Sequence, residues 1–212
     1  MHTETTMRAA AAAALLAFIG LIIILLNAFF PDASIQVQPS TPSGPVSEFV
    51  RATNLYPRQV LRAFAGDSLF ILGYAIVFIG LHAVTAPQSR PLALLGLNAS
   101  LLAASLDAGE NAFFITYALL AQSGVPLTEP DLPLIYIFAN LKWMTAFAGV
   151  LAFALAFPRK SGLEWIIFVL LLSFPLVGVA GFAFPALEPL RLLPFLIGMP
   201  LLAFYFWKRL RP

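Results

Sequence analysis

Leu101–Phe114 reads LLAASLDAGENAFF and lies inside an apolar run of roughly thirty residues, Pro91 to Gln122, long enough to cross a bilayer as a helix. Within it Asp107, Glu110 and Asn111 stand at i, i+3 and i+4, so a helix gathers them on one face. An ionisable side chain deep in a hydrophobic helix costs on the order of 3 kcal/mol. The trio is therefore a candidate functional site, and its partners have to come from elsewhere in the chain.

The composition agrees that the surroundings are lipid. Of 212 residues, 60% are hydrophobic and 10% charged, and the mean hydropathy is +0.90. Soluble domains carry about 25% charged residues. With 12 Lys+Arg the chain has no nucleic-acid footprint, and a net charge of +2 says little about other partners. Cysteine is absent, which excludes disulfides, thiolate metal sites, iron–sulfur ligation and cysteine nucleophiles. Histidine is confined to His2 in the leading tail and His82 late in a hydrophobic segment, which leaves no pair to ligate an intramembrane haem. No cofactor motif and no metal-ligand spacing is present.

The pattern predicts an all-α, polytopic membrane helix bundle, one transmembrane domain over residues 1–212. Six transmembrane helices are expected at about residues 8–30, 57–85, 91–122, 134–157, 163–184 and 190–207, with a polar outer loop, 31–56, after the first. The first apolar run is about 20 residues, longer than the about 7–15 of a secretory signal core. It ends in Asn27-Ala28-Phe29-Phe30-Pro31, a poor cleavage site, and reads as a retained helix. The outer loop opens with PDASIQVQPSTPSGP, a loop by composition. Val46 to Tyr56 follows as a short interfacial helix, with Ser47 as N-cap and Phe49, Val50 and Leu55 on its apolar side. Pro57 suits the first position of the next helix, whereas Pro175 is expected to break the fifth span in its middle. Tyr117, Tyr136, Trp143, Tyr205 and Trp207 read as interfacial aromatics.

Orientation follows from the basic residues. With the amino terminus cytoplasmic, the inner segments hold Arg8, Arg90, Arg159, Lys160, Lys208, Arg209 and Arg211, and the outer ones Arg51, Arg58, Arg62 and Arg191. The excess favours both termini in the cytoplasm. Arginine over lysine, with a rich Ala/Leu/Gly content, suggests a bacterial source and hence the inner (plasma) membrane.

In that orientation Asp107 to Asn111 lie roughly 23–29 Å up the third span from its inner end. Lys142 lies roughly 12 Å below the outer surface on the fourth span, and Asp67 about 15 Å below it on the second. Asp67, Asp107, Glu110, Asn111, Asn140 and Lys142 thus meet at one level from three consecutive helices. Gly96, Ser100, Ala103 and Ala104 share the face of Asp107, and Thr145, Ala146 and Gly149 follow Lys142 on its face. Small residues so spaced let helices approach closely, which turns the acids into the bundle. Three carboxylates facing one ammonium leave three resolutions: a carboxyl keeps its proton, a cation binds, or Arg58 and Arg62 fold over the site. All three predict a solvated or ligand-binding pocket that opens outward. The bland alternative is an Asp107–Lys142 ion pair fixing helix register, with Asn111 and Asn140 as hydrogen-bond glue.

The first helix, the polar outer loop and the entry to the second span, Arg62-Ala-Phe-Ala-Gly-Asp67, resemble a group of bacterial six-helix integral membrane proteins grouped as a domain of unknown function, and the Asp-x-x-Glu-Asn run at 107–111 resembles sequences of uncharacterised polytopic proteins. The resemblance implies the six-helix architecture and no substrate. Three functions compete. The first is a protein that binds or transports a small polar or cationic ligand or a proton at the six polar residues, with a homodimer to supply a second half. The second is a membrane enzyme acting on a lipid or isoprenoid, with Asp107 and Glu110 as acid/base groups. The third is an accessory subunit of a larger membrane complex.

Overall fold

The computed structural model describes residues 2–28, 46–128 and 133–210, and among these the regular structure is helical throughout. Seven α-helices follow in order: α1 (His2–Ala28), α2 (Val46–Leu55), α3 (Pro57–Thr85), α4 (Arg90–Gln122), α5 (Pro133–Ala156), α6 (Gly162–Ala183) and α7 (Leu193–Lys208). A 3-10 helix, Pro185–Leu192, precedes α7. All except α2 supply stretches long and apolar enough to cross a membrane, which makes the chain a multi-pass membrane protein. The polar stretch 31–45 lies outside the described residues, as do the side chains of Ser47 and Tyr136.

The six long helices form a closed ring. Each packs on the next, α1 on α3, α3 on α4, α4 on α5, α5 on α6 and α6 on α7, and α7 returns to α1. Glycine spacing explains the tightest of these contacts. Gly66, Gly73 and Gly80 recur every seven residues on α3, so they share a face. A Cβ added at Gly73 would lie 2.7 Å from the carbonyl oxygen of Ala13, and one at Gly80 2.5 Å from the Cβ of Ala10. Only a hydrogen side chain lets the two backbones come so near. Between α4 and α5 the same device works at Gly149, where a Cβ would stand 2.8 Å from the Ser100 nitrogen. Gly96, Ser100, Ala103 and Ala104 are all buried, as their spacing predicts.

The end of the ring where α1 begins is filled by rings and aliphatics, among them Leu81, Phe153, Phe157 and Phe206, each at most 2% exposed. There α6 starts on a capping box. Ser161 Oγ accepts the Glu164 N–H at 3.3 Å, and Glu164 Oε2 accepts those of Ser161 at 3.1 Å and Lys160 at 2.7 Å. The other Glu164 oxygen accepts Tyr205 at 3.1 Å and Arg209 at 3.2 Å, which pins α6 to α7. Tyr205 is thus a buried hydrogen-bond donor and not an interfacial aromatic. The serine and glutamate three residues apart carry this signal in the sequence.

The opposite end has its own small core, in which Phe49 of α2 and Phe64 of α3 pack on Phe114 of α4, with ring centroids 5.0 and 4.5 Å away. The short helix expected over Val46–Tyr56 is therefore present, one residue shorter and turned into the bundle by Phe49. Asn54 fastens it: its amide donates to the Leu127 carbonyl at 3.0 Å and its Oδ1 accepts the Leu127 N–H at 2.8 Å. Pro175 corrects an expectation. The helix α6 runs through it unbroken, with Phe174 and Pro175 buried and Ser173 Oγ donating to the Leu170 carbonyl at 2.9 Å. Packing on neighbouring helices sustains a proline-bearing helix in a membrane bundle.

Candidate functional site

The acidic face of α4 meets α3 on one side and α5 on the other. Asp107, Glu110, Asn111 and Lys142 are all buried. Lys142 Nζ, reaching across from α5, donates to Asp107 Oδ1 at 2.8 Å and also to Glu110 Oε2. The second Asp107 oxygen accepts the Tyr74 hydroxyl of α3 at 2.7 Å. Asn111 donates to Ser68 Oγ at 3.3 Å, next to Asp67 in the chain. Asp67 is half-buried, and among the described residues its shielded Oδ2 has no hydrogen-bond partner, as is also true of Asn111 Oδ1.

A cavity of about 240 Å³ lies at the centre of the ring and takes side chains from all six long helices and from Leu192 of the 3-10 helix. Its polar groups are few: the Asp67, Asp107 and Lys142 side chains, the Tyr74 hydroxyl and the Trp143 indole nitrogen. Six aromatic residues, Phe70, Tyr74, Phe78, Trp143, Phe174 and Phe195, line it. Leu21 and Ile24 late in α1, Asp67 early in α3 and Phe195 early in α7 put the cavity in the half of the ring nearer α2. Beyond Phe78 and Phe174 a second, wholly apolar space of about 40 Å³ continues toward the packed end.

Five of the six polar residues singled out from the sequence come together, in different roles. Asp67, Asp107 and Lys142 line the cavity, Glu110 stands behind Lys142, and Asn111 ties α4 to α3. Asn140 does not join them: it is exposed. Two residues before Lys142, it lies about 200° round the α5 helix, on the opposite face. Arg58 and Arg62 are exposed on the first turns of α3.

Three residues of the site escaped the sequence. Tyr74 follows Asp67 by seven positions and so shares its face, a signal that was available. Trp143, expected at the interface, walls the cavity instead. The Arg191 guanidinium, only 3% exposed, sits 4.7 Å from its ring centroid. Nothing in the spacing of the sequence brings Arg191 back to α5; the 3-10 turn does that. Among the described residues no group of three or more histidine, aspartate or glutamate side chains is placed to hold a metal ion. No protein-family model, curated protein or solved structure matches this chain.

Proposed function

We propose that this membrane protein uses its central cavity as a binding site for a small polar or cationic ligand or a proton, with Asp67 as the group that meets it. The observation that carries the reading is Asp67, a residue of the cavity wall whose shielded Oδ2 has no hydrogen-bond partner among the described residues. Asp107 and Lys142 are held to one another and to Tyr74 and Glu110 by hydrogen bonds, whereas Asp67 Oδ2, like the neighbouring Asn111 Oδ1, is left open. Leaving a carboxylate oxygen open at depth is costly unless something arrives to satisfy it. The excess of carboxyl groups over ammonium gives that something a positive charge or a proton. Loop charges support an orientation with both termini cytoplasmic, so that the cavity lies in the outer half of a bacterial inner membrane. The packed aromatic end below it supports binding from one side more than free passage.

Infrared difference spectroscopy of the reconstituted protein tests this directly. A carboxyl band that responds to a pH jump or to exchange of sodium for potassium, and that disappears in Asp67→Asn, is the expected result. Spectra in which no carboxyl responds to any of these changes would leave a fixed structural network and overturn the reading.

A further inference from the structure

We infer that the ligand of this cavity is an organic ammonium of about ten heavy atoms, held with its charge at Asp67 and its body in a cage of aromatic rings. The inference rests on the proposed binding role and names its ligand class. The wall is the first observation. Tyr74, Phe70, Phe195 and Phe174 follow one another edge to face, with centroids 5.0, 5.4 and 4.7 Å apart and planes crossed at 69°, 86° and 72°. These four crossed rings all line the cavity, and walls of aromatic rings are the surroundings in which quaternary ammonium groups are bound. Asp67 supplies the counter-charge on the same wall.

The same wall argues against the other ligands. A hard inorganic cation needs several oxygen ligands to replace its water, and among the described residues only Asp67, Asp107 and Tyr74 bring side-chain oxygens to the cavity. An anion would face the carboxylates, since the Lys142 charge is already taken up by Asp107 and Glu110. Trp143 is left out of the cage because Arg191 already occupies one of its faces. Size fixes the scale: a cavity of about 150 Å³ holds benzene, and this one measures about 240 Å³.

The test compares phenyltrimethylammonium with tert-butylbenzene, which has the same shape without the charge, by equilibrium binding to the purified full chain. The cation is expected to bind at least tenfold more tightly than the hydrocarbon. Asp67→Asn removes most of that advantage, and Phe195→Leu weakens the cation at least fivefold. The isostere comparison needs only the unaltered protein, so a variant that fails to fold does not obscure it. Equal affinity for both probes would overturn the inference in favour of a merely greasy cavity. No cation binding, with an Asp67 carboxyl that still answers protons or sodium in the infrared, overturns the ligand class and leaves the binding role standing. Silence in both experiments removes both.

Discussion

Lys142 Nζ and Asp107 Oδ1 lie 2.8 Å apart between α5 and α4, and both residues are buried. Among the described residues this lysine is the only ammonium lining the cavity, and it serves Glu110 as well. Removing one member of such a group leaves charges buried and uncompensated, which costs about 3–5 kcal/mol. Lys142→Met is therefore expected to destabilise the protein by about that amount, read as thermal unfolding in detergent. Adding Asp107→Asn and Glu110→Gln to the same chain should return most of the loss, because the charges that suffered are gone. If the triple variant is no better than Lys142→Met alone, the lysine acts through its packing and not its charge.

Asp67 is expected to behave in the opposite way. Its Oδ2 has no hydrogen-bond partner among the described residues, and Asn111, the side chain beside it, can bond an amide as well as a carboxylate, so Asp67→Asn forfeits little that the fold relies on. Stability within about 1 kcal/mol of the parent, or above it, is expected, since an unpaired polar group at depth is a cost to the folded state. A midpoint that falls as far as that of Lys142→Met would make Asp67 part of the structural network.

How much of this was legible divides along the helix period. Depth and face together are readable, so Asp107, Glu110 and Asn111 at i, i+3 and i+4 led to the site, and Gly96 and Ser100 identified the face turned inward. Asn140 was gathered by depth alone, and its angle on the helix excludes it. Pro175 was weighed by propensity alone, which tertiary packing overrides inside a bundle. The cavity was not legible at all: Phe174 and Phe195 come to face each other only because the ring closes, and no local pattern encodes closure. Arg191 reaches Trp143 for the same reason.

The glycine seam between α1 and α3 should be the least tolerant part of the ring. A Cβ at Gly73 would lie 2.6 Å from the Ala17 nitrogen, and that atom is backbone, so no rotamer relieves the clash. Gly73→Val is expected to cost about 3 kcal/mol or more by forcing two helices apart. Gly162, where an added Cβ meets nothing within 4 Å, is the control, and Gly162→Ala should leave the melting curve within about 0.5 kcal/mol. Equal behaviour of the two variants would show that α1 does not pack on α3 as described.

At the α6 end, Ser161 and Glu164 make separable contributions. Ser161→Ala removes one cap bond and should cost about 1 kcal/mol. Glu164→Ala removes the cap and both links to α7 at Tyr205 and Arg209, so about twice that loss or more is expected. Chemical denaturation in mixed micelles distinguishes them, and equal losses would mean that the α7 links add nothing to the cap.

The last expectation concerns α2, which no long apolar stretch holds in place. Among the described residues its attachment includes Phe49 against Phe114 and the two hydrogen bonds between Asn54 and the Leu127 backbone. The asparagine offers one donor and one acceptor side by side, the pattern a neighbouring strand would offer, and aspartate of the same shape lacks the donor. Asn54→Asp should therefore release the helix while leaving the six-helix ring intact. Hydrogen exchange of amides in 46–55 is expected to rise at least tenfold, equivalent to about 1.4 kcal/mol of local stability, and that of α4 to stay unchanged. Acceleration spread through α3 and α4 would instead make α2 an integral part of the ring.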